Sequence, residues 1–508
     1  MTLRYLFSCL LLCSGGAWAQ KAQDTPQSSP SNLWWQLTSP QYQLSARTFT
    51  DNPLLRWTLP HQSVTNISLN GVKMRQQEQS NYQQGDGYRN FSITADSHII
   101  LSPKSIVWGG ASYINGKTSN VRFNDNADID LIYPYVMADT KGGEMKSEHY
   151  LFNGGYLHRL KSNLLLTAEL DYRALISYRD KDPRPKNSVS DLTFRLGVGH
   201  TFQSSYVMGV TINARKYKQF SSIKQLSSTK QTPIYHLAGL GQRMAKFDGT
   251  FTDSNHEGHA YGMSIGINQM NNNGWIANLS YNSLRLKKIM PSVNNLPLQR
   301  IKERKFETNI GFNSSNWSLL LIGDYTNRKG YEHLYSAPHQ GYYKILTTIQ
   351  PYTQQTYRVG VKGVWQTTSK KTNWYIIPHI GTISSTEKYN DPKQQIKLNK
   401  AYINLTAIGR INTQHLGIFS CTQNLGYEAT MNKKIELADV ENNPMQPLND
   451  QMAYYLGKNK MAGRTTLRWD PPFTFFSMQY FTAVSWETQK LDAVKPMHTG
   501  EFKLGIIF

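Results

Sequence analysis

Cysteine is scarce in this chain: 508 residues carry three, at Cys9, Cys13 and Cys421. The first two fall in an N-terminal stretch laid out like an export signal. Arg4 supplies the positive charge, residues 5–13 an apolar run, and Ala17-Trp18-Ala19 a small-x-small cleavage site before Gln20. Cleavage there leaves Cys421 alone, which excludes an internal disulfide and any multi-cysteine zinc or iron–sulfur site. Leu12 precedes Cys13 where a lipid-anchored chain needs a small residue, so no lipid anchor is expected.

Long apolar runs are missing too. After the signal no stretch approaches the ~18 residues that a membrane helix needs, hydrophobic residues make up 39%, and mean hydropathy is −0.52. Acidic residues are few beside basic ones, 34 against 55, giving a net charge of +21, or +20 once Arg4 leaves with the signal. Aromatics, by contrast, are plentiful, with 30 Tyr, 19 Phe and 11 Trp. A polar average rich in aromatics fits an exported soluble β protein or a transmembrane β-barrel. In a barrel, lipid-facing and lumen-facing residues alternate and cancel in any hydropathy window.

Pattern separates the two. Period-2 segments recur from about residue 65 to the end, while helical periodicity over three turns is hard to find. In one, Leu164, Leu166, Ala168, Leu170 and Tyr172 share a face and Thr167, Glu169, Asp171 and Arg173 the other. The same split separates Tyr206, Met208, Val210 and Ile212 from Thr211, Asn213 and Arg215. Such runs last roughly ten to thirteen residues, long for a globular strand and right for a tilted membrane-crossing one. Brief turns near 158–163, 202–206, 270–274, 313–316, 366–372, 412–415 and 470–473 alternate with long polar stretches near 115–146, 218–258, 287–304, 327–351, 388–400 and 430–460. Short turns on one side and long loops on the other is the plan of an outer-membrane barrel. Phe202, Tyr206, Trp275, Trp317, Trp365, Trp374, Trp469 and Phe473 lie beside the short turns, where they would form an interfacial girdle.

The expected fold is therefore all-β: a transmembrane antiparallel barrel of about 18 strands, or 14 to 16 if one has been split or invented. It occupies residues 63–508, after a signal at 1–19 and a plug or arm at 20–62 that contains Trp34-Trp35. An even strand count puts both ends on the periplasmic side. Pro378 falls inside a strand, where it removes a ladder hydrogen bond and should mark a bulge or a register break. The last residues alternate, with Phe502, Leu504, Ile506 and Phe508 on one face. A final strand ending in an aromatic residue resembles the signal read by the barrel-assembly machinery, which points to Phe508.

Asn52-Pro53, just before the first strand, resembles the start of the long-chain fatty-acid transporter-like barrels and their relatives in the Bacteroidota. The whole chain is similar to a poorly characterised family of outer-membrane barrels from that phylum. The resemblance implies location and fold rather than activity. It extends poorly to transport of fatty acids, since Leu54 stands where those transporters favour Ala.

Chemistry is sparse. By alternation Arg195, Arg215, Arg358, Lys362, Arg410, Arg464, Arg468 and Lys503 face the lumen, against Glu169, Asp171, Asp324 and Glu501. A lipid-facing cation costs about 2–4 kcal/mol at mid-membrane, which explains their orientation but not the sign of the excess. A cationic lining favours anions. Arg285, Lys287, Lys288, Arg300, Lys302, Arg304 and Lys305 bracket one outer loop, where they could meet lipopolysaccharide phosphates or simply be solvated. Asp253, His256 and His259 form a knot without helical metal-site spacing, and residues three apart on a strand face opposite ways, so no metal is expected. No nucleophile–base constellation is legible. The expectation is a non-enzymatic channel or transporter for a small solute, with anionic and amphipathic solutes as candidates, requiring no cofactor and binding no nucleic acid. A barrel hydrolase and a non-transporting scaffold for neighbouring outer-membrane proteins are the alternatives. Its partners are then outer-membrane lipid and lipopolysaccharide, the assembly machinery and companion barrels.

Overall fold

The computed structural model describes residues 29–508 apart from 45, 203–204, 228–230, 250, 272, 341, 370, 414 and 439–442. The export signal read at 1–19 lies outside the described residues. Eighteen antiparallel strands, each paired with its neighbours in sequence, form one closed ring. Closure is made by the first strand, Val64–Gln76, and the last, Met497–Ile507, in register from Asn66↔Ile507 to Gln76↔Met497. The Phe508 backbone extends that ladder, its N–H donating to the Thr65 carbonyl at 3.0 Å and its carbonyl accepting from the Thr65 N–H at 2.7 Å.

Alternation sets the two faces of the wall. Along Arg184–Phe202, Leu192, Phe194, Leu196 and Val198 are exposed on the outside while Asp191, Thr193, Arg195 and Gly197 point inward. The expected aromatics are exposed beside the short turns, including Phe202, Trp275, Trp317, Trp365, Trp374 and Trp469. A second row was not legible in the sequence. Tyr281, Phe306, Tyr325 and Tyr357 oppose one another on four consecutive strands, with ring centroids 4.8, 6.3 and 4.6 Å apart. The two rows bound an apolar belt six to eight residues tall, or about 20–25 Å along the strand at ~3.3 Å per residue. That matches a membrane-spanning band.

The strands run well past this belt, from 11 to 24 residues, so several expected loops are shorter than read. The stretch 287–304 is mostly strand around a connection at 291–295, and 327–351 and 388–400 shrink to 336–344 and 390–393. Above the belt both faces of a strand meet polar surroundings, so the alternation of polarity fades while the ladder continues. Pro378 makes neither a bulge nor a break. Pairing with the neighbouring strand lapses opposite Gly363 and resumes in the same register, Lys362↔His379 before it and Trp365↔Ile376 after.

The described residues of 29–62 occupy the lumen at the short-turn end. Pro30–Thr38, Pro40–Leu44 and Ala46–Asp51 are short helices, followed by a 3-10 turn at Pro53–Thr58. Three of these four elements open on a proline, whose fixed φ and missing N–H suit a first helical position. Asn52 is the anchor: its amide donates to the Gly209 carbonyl at 3.1 Å and accepts from the Thr211 hydroxyl at 2.8 Å. Leu54 and Leu55 beside it are fully buried. A Cβ on Gly199 or Gly209 would lie 2.5 or 2.6 Å from the Leu54 methyl, so those inward glycines make the seat. Gly209→Val should therefore unseat the plug while leaving the ring intact. Trypsin should then cut at Arg56, which is protected in the wild type, without loss of the heat-modifiable gel shift that reports a folded barrel.

Candidate functional site

The residues read as lumen-facing all lie on inward strand positions, but they do not form one cationic lining. Each inward arginine of the central ladder is held by carboxylates. Arg195 donates to Glu169 at 2.7 Å and also meets Asp171, and Glu169 accepts from the Trp108 indole at 2.7 Å. Arg173 grips Asp128 in a two-pronged bond at 2.9 and 2.6 Å and reaches Asp191 at 3.2 Å. Arg215 holds both oxygens of Asp191, each at 2.7 Å. Forked guanidinium–carboxylate bonds are the stronger kind and fix geometry as well as charge.

Elsewhere the predicted cations are scattered. Arg464 pairs with Glu501, Arg468 with Asp470 at 2.6 Å, and Arg358 lies 3.7 Å from Asp324. Arg410 serves the plug, donating to Asn32 at 2.7 Å and lying over the Trp35 ring at 5.1 Å. Lys362 stands in register with His379, and Lys503 lies 6.0 Å from the Phe481 ring.

Between plug and outer mouth lies a polar chamber of about 680 Å³, walled by Asp51 of the plug, Leu131 of an outer loop and inward side chains of the strands. Its ionisable lining is six carboxylates (Asp51, Asp96, Asp171, Asp191, Glu303, Glu307) against four cations (Arg173, Arg195, Arg215, Lys305). The excess positive charge of the chain thus lies elsewhere. Sequence reading left Arg173 and Asp191 out of the site because their partnership depends on strand register, Arg173↔Asp191 and Thr193↔Arg215.

The outer mouth is narrowed by the loops themselves. The described residues of the connections 122–142, 225–252 and 437–459 fold inward and share one apolar core, in which Phe123, Ile132, Tyr135, Val136, Leu237, Leu240, Met445 and Leu448 are buried. Each fully buried large side chain contributes about 1.5–3 kcal/mol relative to exposure. Arg179 pins this cap: it donates to Asp125 at 3.2 Å and to Asp139 at 2.6 Å, all three side chains being at most 2% exposed. Burial, then the neighbouring Asp139 charge, pushes the Asp125 carboxyl well above the usual range. Although burial opposes it, the hydrogen bond from Asp125 and the Arg179 charge hold Asp139 below that range. Arg179 stands between the two carboxyls and bonds to both.

The cap also draws on the wall. His256 bonds through Nε2 to the Tyr135 carbonyl at 2.8 Å, and Lys288 donates to the Val136 carbonyl at 3.4 Å. Lys288 therefore leaves the rim cluster to which its neighbours suggested it belonged: it points inward and is 1% exposed. Lys305 also points inward, 2.7 Å from Glu307. Arg285, Lys287, Arg300, Lys302 and Arg304 stay on the outer face. His259 turns outward beside Tyr261, on the opposite side of the wall from His256. His236, in the cap strand Tyr235–Gly239, donates through Nε2 to the Phe251 carbonyl at 3.1 Å. Burial pushes this imidazole well below its ordinary value, and the Lys288 charge adds to the effect.

Two outcomes follow for the cap. Arg179→Ala should cost the closed cap about 3–5 kcal/mol, as for a buried charge left without its partner, and make 122–142 susceptible to protease while the barrel stays folded. Closed His236 resists a proton that the open form accepts near pH 6.5, so its own contribution to cap stability is full above that pH and falls below it, while Asp125, whose carboxyl burial pushes up, contributes in the opposite sense. His236→Gln removes that share, so hydrogen exchange at the Leu237 amide, bonded to the Val136 carbonyl at 2.9 Å, should have a lower ratio of its pH 5 to its pH 7 rate in the variant than in the wild type, after correction for intrinsic rate.

Comparison with solved structures finds large barrels at low identity. The ferric preacinetobactin receptor BauA from Acinetobacter baumannii is 8% identical over 88% of this chain and 80% of its own, with a TM-score of 0.46. The copper transporter OprC is 6% identical over 88% and 81%, at 0.42. The outer-membrane transporter YddB from Escherichia coli is 7% identical over 87% and 80%, at 0.38. No curated protein matches the chain in sequence. Residues 53–508 match the family of unknown function DUF6850, and the chain belongs to that family.

Proposed function

We propose that this barrel is a gated outer-membrane transporter in which a small polar solute passes through the central chamber, with residues 29–62 as the inner closure and the three-loop cap as the outer one. The observation that carries the proposal is the chamber itself: a space of about 680 Å³ lined by paired charges, ample for a small molecule, that lies between two separately anchored segments and touches each of them, at Asp51 and at Leu131. Its paired charges support a polar or zwitterionic solute better than a simple anion. In this reading the short turns and both chain ends face the periplasm, Phe508 serves assembly, and the protein performs no chemistry on its solute. Asn52-Pro53, which carries the likeness to fatty-acid transporters, is occupied with seating the plug and leaves the solute's identity to experiment.

A second reading has an observation of its own. With both ends shut, the barrel could conduct nothing and act through its cap as a scaffold for a companion outer-membrane protein. Planar-bilayer recording separates the two. The wild type should be silent or show brief openings, and the double variant Gly209→Val/Arg179→Ala should show steady current with little preference between anions and cations. A folded double variant that stays silent would move the assignment to the scaffold.

A further inference from the structure

The outer wall carries a concentration of positive charge that the transport reading does not use. Just above the upper aromatic row, Arg285, Lys287, Arg300, Lys302, Arg304 and Lys329 point outward on three adjacent strands. They oppose each other directly in the ladders: Arg285↔Lys302, Lys287↔Arg300 and Lys302↔Lys329. Side chains directly opposite have Cβ atoms only ~4.5–5.5 Å apart, and like charges in that relation repel. No ion pair within the described residues relieves these six. Glu257 borders the patch but is turned to Lys218, 3.5 Å away. Tyr331 lies among them, with Arg300 and Lys302 each 5.0 Å from its ring, which orders the two cations without neutralising them.

Height identifies the occupant. Arg304 is two residues, Lys302 four and Arg300 six above Phe306, about 7 to 20 Å along a tilted strand, which is the headgroup level above the apolar belt. Below the patch the outer wall is apolar, with Leu279, Ile310, Leu319 and Leu321 exposed. A ligand that meets both surfaces has anionic groups above and acyl chains below. We infer that this face binds a phosphorylated acyl glycolipid of the outer leaflet, its phosphates set between the opposed cations and its chains lying along the belt. The inference rests on the membrane placement of the preceding reading and adds a lipid partner to it.

The test uses the full-length barrel purified in detergent and measures lipid retention by native mass spectrometry. The probes are bisphosphorylated lipid A, the same lipid without phosphates, and inorganic phosphate. Retention of the phosphorylated lipid should fall with salt. It should weaken about tenfold or more in Arg300→Gln/Lys302→Gln, as for the loss of charge-assisted bonds, and be unchanged in Lys397→Gln, an outward cation on another part of the wall. Heat-modifiable migration checks folding, and Arg304→Gln alone is the fallback if the double variant fails to assemble. Equal retention of the lipid without phosphates, unchanged binding by the folded double variant, or binding of inorganic phosphate without the lipid would each overturn the inference. Because the assay is independent of cellular location, cell fractionation tests the membrane reading separately.

Discussion

A sheet in hydrocarbon can have no edge, because an unpaired N–H or C=O there costs several kcal/mol with no water to satisfy it. The pairing of Val64–Gln76 with Met497–Ile507 meets that constraint. Once the ring is closed, every strand has one face to lipid and one to the lumen, and the period-2 sequence becomes a sorting rule. Leu192, Phe194 and Leu196 go outward because Asp191, Thr193 and Arg195 cannot. The large ring then encloses more space than its own side chains fill, and the chain supplies the filling from its N-terminal segment and its outer loops.

Charge is partitioned by the same rule. Inside, arginines and carboxylates meet across neighbouring strands, and the chamber's lining carries more carboxylates than cations. Outside, above the belt, cations stand opposite one another across three strands, and the bordering Glu257 is turned to Lys218. The high net charge of the sequence is thus a poor guide to the chamber, where the arginines are paired with carboxylates.

Much of this architecture was legible in the sequence. The strand count, the short turns, the girdle at Trp275, Trp317 and Trp365, and the inward orientation of Arg195 and Arg215 all follow from local alternation. Three things do not. Strand length beyond the belt is invisible, because polar residues on both faces look like loop, and this is why Lys288 was grouped with Lys287 although the continuing strand turns it inward. Ion pairing depends on register between strands, which single-strand patterns leave open, so Asp191 escaped notice. The inward fold of 122–142 and 225–252 depends on distant contacts such as Arg179 with Asp125 and Asp139. Asn52-Pro53 did stand out in the sequence, but its work is mechanical: it seats the plug against Gly209 and Thr211.

The central claim is that the chamber is closed from both sides. It is tested most directly by placing a cysteine at Thr193, which lines the chamber, in a Cys421→Ser background, and timing its reaction with a bulky hydrophilic maleimide in the folded barrel. The account predicts labelling far slower than that of a cysteine at exposed Lys397, and full labelling after heat denaturation. Equally fast labelling at the two positions in the folded protein would show an open lumen and contradict it.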